Sequence, residues 1–207
     1  MINSYQRYEN LLSVFYNQVK KLGDRPYLWS KKNKHYQSLS WNESYLRVKK
    51  LANYLKKIGI QNEARVMLVS ENRPEWQISD LAIMAADGIS VPAYTTITSQ
   101  DYEYLISHSD AKVIIVSSEF LYSKIELAIN KLKIKRDIII IDDFDLKKNN
   151  LITIHKWDEI QSQSIDSDTD HISNQAIRKN RKDIACIIYT SGTSGFPKGV
   201  MLSLIHI

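Results

Sequence analysis

Short apolar runs alternate with segments of helical period along most of the chain, and this rhythm restricts the folds open to it. Arg65 to Val69, Ile89 to Ala93, Lys112 to Val116 and Asp137 to Ile141 read as compact buried strands. Between them, Pro74 to Gly88, Ser99 to His108 and Glu119 to Lys131 carry apolar residues at helical spacing. Strands joined through helices need crossover connections, and such a sheet buries both faces. The predicted fold class is α/β, a largely parallel sheet flanked by helices. No internal repeat is present.

The N-terminal third carries clearer punctuation. Residues 5–22 read as a helix, with Tyr8, Leu11, Leu12, Phe15, Val19 and Leu22 on one face and Gly23 as its stop. Pro26 to Trp29 and Tyr36 to Leu39 read as two short strands around the basic turn Lys31-Lys32-Asn33-Lys34. Ser40 followed by Glu43 is a capping-box pattern for a helix running to about Ile58. Pro74 suits the first turn of its helix, and Ser99 reads as the cap of the next. Pro92 predicts an edge position or a strand end. Residues 161–182 are polar without a core period and read as a long surface connection.

The chemistry concentrates near the end. Ile184 to Ile188 reads as a buried strand, followed by Tyr189-Thr190-Ser191-Gly192-Thr193-Ser194-Gly195-Phe196-Pro197-Lys198-Gly199. The chain has six glycines, and three of them fall in this stretch, which singles it out. Closely spaced glycines let successive N–H groups converge on an anion, above all a phosphate. Thr190, Ser191, Thr193 and Ser194 add hydroxyls, and Lys198 adds a compact positive charge. The expected phosphate-binding residues are Thr190, Ser191, Gly192, Thr193, Ser194, Gly195, Lys198 and Gly199. The spacing is not that of a Walker A loop, because Pro197 precedes the lysine and Gly199 follows it. A polar hairpin turn without a ligand is the plainer alternative.

This run resembles the phosphate-binding signature of the AMP-forming adenylating enzymes, Thr-Ser-Gly-Thr-Thr/Ser-Gly-x-Pro-Lys-Gly, at every fixed position. Glu71-Asn72-Arg73-Pro74-Glu75-Trp76, the stretch Asp80 to Pro92, and Val91-Pro92-Ala93-Tyr94 are similar to the early core of long-chain fatty acyl-CoA synthetases. The resemblance covers roughly residues 8–203. It implies the N-terminal part of the large domain of an acyl-adenylate-forming enzyme, here truncated, with the C-terminal domain absent. The implied reaction joins a fatty acid to coenzyme A through an acyl-adenylate, consuming ATP with Mg2+ and releasing AMP and pyrophosphate. The implied small-molecule partners are ATP, a fatty acid and coenzyme A. The segments that hold adenine, ribose and magnesium in that family, and its C-terminal lysine, are expected to lie outside the chain. The chain alone is therefore expected to be inactive, with no catalytic residue of its own and no metal ligand. Where the family continues with a histidine after Met201-Leu202-Ser203, Leu204 stands here, and His206 is out of register. Two other readings stand beside this one: a ligase for an aryl, short-chain or amino acid substrate, and a non-catalytic nucleotide-binding remnant.

Composition narrows the setting. The net charge is +5, and Arg178-Lys179-Asn180-Arg181-Lys182 is the densest basic group. It reads as a solvated linker, or else as an attraction for ATP, coenzyme A or an anionic membrane surface. No nucleic-acid-binding motif accompanies the charge. Met1 to Asn10 is polar, and no apolar run approaches the ~20 residues of a membrane span. A cytoplasmic location is expected, or a peripheral one at a membrane. Cys186, the single cysteine, reads as a small core residue. His35, His108, His155 and His171 read as surface residues. Asp142 and Asp143 read as caps of the next turn, and Trp29, Trp41, Trp76 and Trp157 as core or helix-start aromatics.

Overall fold

A computed structural model describes residues 8, 10–61, 63–164, 179–191, 195–203 and 206. The first helix, α1 (Leu11–Leu22), starts where Asn10 accepts from the Ser13 N–H at 2.9 Å and Ser13 Oγ accepts from the Asn10 N–H at 3.2 Å. It therefore begins later than its apolar spacing predicts; residues 5–7 and 9 lie outside the described residues. Strands β1 (Pro26–Lys32) and β2 (His35–Ser40) form a separate two-stranded antiparallel hairpin. Helix α2 (Trp41–Lys57) opens on the expected capping box. The Glu43 N–H donates to Ser40 Oγ at 3.1 Å, and the Ser40 N–H donates to the Glu43 carboxylate at 2.7 Å.

The main sheet has seven strands: β3 (Arg65–Val69), β4 (Ile89–Pro92), β5 (Val113–Val116), β6 (Arg136–Ile140), β7 (Ile152–Lys156), β8 (Ile184–Thr190) and β9 (Lys198–Ser203). Their order is β7-β6-β5-β3-β4-β8-β9, parallel throughout except that β9 runs antiparallel to β8. Helices α3 (Pro74–Ala85), α4 (Ser99–Ser109), α5 (Glu119–Leu132) and α6 (Trp157–Ser162) complete the elements. The expected α/β architecture with a largely parallel sheet is the one observed.

Each central strand feeds two cores, which explains its unbroken apolar run. Val66 and Leu68 of β3 and Val113 and Ile115 of β5 point into a core shared with α1, α2, α3 and α6. Met67, Val69, Ile114 and Val116, the alternate residues, pack under α4 and α5. All eight are essentially inaccessible to solvent.

Several expectations change. Thr98, not Ser99, caps α4: its Oγ1 accepts from the Asp101 N–H at 3.2 Å, and Asp101 accepts from the Thr98 N–H at 2.8 Å. The acid three residues on selects between two neighbouring hydroxyls. Pro92 ends its strand as expected, but β4 is interior, between β3 and β8. The chain resumes pairing one residue later, where the Ala93 N–H donates to the Leu68 carbonyl at 3.0 Å. His155 is not a surface group. It links Tyr54 Oη, 2.8 Å from Nδ1, to the Asp137 carboxylate, 2.8 Å from Nε2. Asp142 and Asp143 pair with Arg73 and Lys156 at 2.9 Å each rather than capping a turn. Trp29 is exposed, whereas Trp157 is buried. His35 and His108 are exposed as expected; His171 and residues 165–178 of the polar connection lie outside the described residues.

Candidate functional site

Adjacent strands β3 and β4 send their following helices to opposite faces of the sheet. Helix α3 packs into the first core and α4 into the second. Divergent helices leave a crevice beyond the carboxyl ends of the strands, the usual ligand site of an open parallel sheet. A cavity of about 500 Å³ lies there, walled by Ser70 to Asn72 after β3, Pro92 to Thr95 at the end of β4, and Ile188 and Tyr189 of β8. A second cavity, of about 380 Å³, opens on the other side of Tyr94 and Tyr189. Thr190, Ser191 and Pro197 line it, so the glycine- and hydroxyl-rich stretch borders this second hollow.

The expected phosphate-binding residues fall at the top of the β8–β9 hairpin. Thr190 is exposed as the last residue of β8, and Ser191 is exposed just beyond it. Lys198 is exposed and opens β9 directly opposite Thr190; Gly199 lies opposite Tyr189. The stretch therefore lies between two paired antiparallel strands. Gly195 sits at φ +109° with open space around it, so backbone conformation calls for glycine. Gly199 has a different reason: a Cβ there would meet Ile187 Cγ2 at 2.9 Å and Tyr189 Cζ at 3.4 Å. Gly192, Thr193 and Ser194 lie outside the described residues.

Sequence reasoning missed the clamp that holds the two flanks of this loop. The Tyr104 hydroxyl, on α4, donates to the Pro197 carbonyl at 3.0 Å, and its ring stacks on Phe196 at a centroid distance of 5.1 Å. One turn later, His108 Nδ1 lies 2.7 Å from Tyr189 Oη, and the His108 ring stacks on Tyr104 at 5.3 Å. The only trace of this in the sequence is an aromatic and a histidine four residues apart on one helix face. Lys124 of α5 secures the segment after β4 by donating to the Ile97 carbonyl at 2.9 Å.

Charge in the crevice is tied down. Glu71 accepts from Ser117 Oγ at 2.5 Å, and Arg73 is held between Glu75 at 2.8 Å and Asp142 at 2.9 Å. The Tyr102 hydroxyl donates to the Tyr94 carbonyl at 2.7 Å; burial, then the charges of Glu71 and Asp101, push it well above the usual phenol range. It remains a hydrogen-bond donor at neutral pH. Burial pushes the Cys186 thiol up to about 11, so it is an inert core group as expected.

The AMP-binding enzyme family matches residues 15–205. The chain belongs to that family. AMP-binding enzymes similar to it include the long-chain-fatty-acid–CoA ligase ACSBG2 of Homo sapiens, 30% identical over 190 residues, covering 91% of this chain and 28% of the relative. Long chain acyl-CoA synthetase 4 of Arabidopsis thaliana is 29% identical over 200 residues, covering 92% of this chain and 29% of the relative. The chain thus spans between a quarter and a third of the length of these relatives. In fold it is similar to the luciferase-like enzyme of the Zophobas morio mealworm (TM-score 0.79, 20% identity, 96% of this chain and 44% of that one). It is also similar to a benzoate CoA ligase of Burkholderia xenovorans (TM-score 0.73, 19% identity, 95% of this chain and 35% of that one).

Proposed function

We propose that the chain supplies the phosphate-binding part of a long-chain fatty acid–CoA ligase. The observation that carries this reading is that Thr190 and Ser191 line a hollow beyond the carboxyl end of β8 while Lys198 is paired opposite Thr190 on β9. In the proposed reaction a fatty acid carboxylate oxygen attacks the α-phosphorus of ATP. The bond to the bridging oxygen breaks, and pyrophosphate leaves with its electron pair. The coenzyme A thiol, giving up its proton, then attacks the acyl carbon and displaces AMP. The chain's own residues act on the leaving group: Lys198 and the hydroxyls of Thr190 and Ser191 hold the β- and γ-phosphates and offset the charge growing there.

Magnesium would come with ATP. Among the described residues no group of three or more His, Cys, Asp or Glu could hold a metal ion. The fatty acid, rather than an aryl acid, is favoured by the names of the relatives near 30% identity. The test is to place residues 15–205 in the matching part of a long-chain acyl-CoA synthetase and assay thioester formation from palmitate, benzoate and acetate. Preference for palmitate supports the reading. Preference for benzoate would move it to the aryl ligases, and a folded chimera that forms no adenylate from any acid would overturn it.

A further inference from the structure

The β1–β2 hairpin stands apart from the main sheet and presents an unusual surface. From Arg25 to Asn42, both included, there are four Lys or Arg residues and no Asp or Glu. Lys31, Lys32 and Lys34 crowd the tip, and none of them forms a salt bridge among the described residues. Lysine on an exposed strand edge is ordinarily a guard against strand-to-strand aggregation. That explanation does not cover the aromatic residues beside it. Trp29 is 58% exposed and Tyr36 is 71% exposed. Register puts Tyr36 opposite Lys31, and Trp29 two residues before Lys31, so the three share one face. Lys31 Nζ lies over the Tyr36 ring, 5.8 Å from its centroid.

The turn itself favours the lysine's charge over ease of folding. Asn33 and Lys34 have φ of 51° and 68°, as a two-residue type I′ turn requires. Glycine is the usual choice at the second position, and a side chain there is held in a sparsely populated region.

We infer that the face formed by Trp29, Lys31 and Tyr36, with the Lys32–Lys34 tip, docks on an anionic lipid surface. Amphipathic Trp and Tyr rings settle at the headgroup level of a bilayer, and lysines beside them are drawn to anionic lipid. The platform is the end of a two-stranded hairpin that belongs to no larger sheet. A single nucleic-acid strand is instead held along a charged groove several nucleotides long. The preference for lipid over another polyanion also rests on the ligase reading, since a long-chain fatty acid collects in bilayers.

The test is co-sedimentation of the full chain with phosphatidylcholine vesicles, with and without phosphatidylserine, and a parallel titration with a single-stranded oligonucleotide. The wild type is expected to bind the anionic vesicles, less well as salt rises, and to bind the neutral ones poorly. Replacing Lys31, Lys32 and Lys34 together by Gln should lower partition roughly hundredfold, three charges at about tenfold or less each. Trp29→Ser should lower it even with the lysines in place, and thermal unfolding of each variant checks that the hairpin has not taken the fold with it. Equal partition onto both vesicle types, unchanged partition in folded variants, or binding to the oligonucleotide but not to vesicles would each overturn the inference. None of these outcomes bears on phosphate binding, which is tested separately at Lys198.

Discussion

Thr190 and Lys198 face each other as paired residues across the β8–β9 ladder, although eight positions separate them in the chain. The lysine is therefore placed by strand register and not by the wandering of a loop. Its Cα is fixed by the same backbone ladder that positions Thr190, while its long stem lets the ammonium reach toward a phosphate.

That ladder depends on close approach at its second pair. Gly199→Ala brings a methyl carbon to 2.9 Å from Ile187 Cγ2, closer than carbon atoms tolerate. The expected cost is about 1–3 kcal/mol from overpacking. Urea unfolding measures it. The companion Ile187→Val should recover part of the loss, because Cγ2 is the atom pressed and a smaller side chain can shift.

The clamp on the loop separates into a ring and a hydroxyl. Tyr104→Phe keeps the stack on Phe196 and loses the bond to Pro197, at an expected cost of about 1 kcal/mol. Tyr104→Leu loses both and should cost more, by about 0.5–1.5 kcal/mol for the aromatic pair. Amide hydrogen exchange at Ser191, Gly195 and Gly199 should quicken in the leucine variant and change little in the phenylalanine one. Exchange as slow as wild type in both variants would show that α4 does not restrain the loop.

Asp80 is expected to give the fold a pH dependence. Burial pushes its carboxyl up from 3.8 to about 6, only partly opposed by the neighbouring Ser90 hydroxyl. The folded state then binds the proton more tightly than the unfolded one. Stability from this group is complete below about pH 4 and is lost as pH rises toward about 6, by at most about 3 kcal/mol. Asp80→Asn stays neutral, so its stability relative to wild type should rise over that interval and then level. Urea unfolding of both proteins across it is the measurement. A constant difference would mean that Asp80 ionises normally in the folded chain.

What could be read from the sequence follows from burial. Strands β3 and β5 are covered on both faces, so Val66 to Val69 and Val113 to Val116 are continuous apolar runs with an obvious signal. Strand β7 is an edge strand of mixed burial in which Thr153 is exposed and His155 bridges two polar groups, and no such run marks it. Strand β9 escaped notice because it carries Lys198, Gly199 and exposed Val200 and Met201 at the other edge. The candidate phosphate-binding residues stood out in the sequence because glycine and hydroxyl spacing is a local pattern. The grip of Tyr104 and His108 was not, since their partners lie 93 and 81 residues away.

The central claim, that the top of the β8–β9 hairpin holds a polyphosphate through Lys198, is tested most directly by calorimetric titration of tripolyphosphate into the chain. Wild type should bind, with affinity falling as salt rises. Lys198→Ala should bind about tenfold to a hundredfold more weakly, the loss of one charge-assisted contact worth about 1.5–3 kcal/mol, and Lys198→Arg should recover only part. Equal affinity in wild type and Lys198→Ala, or no binding by the folded wild type, would contradict the account.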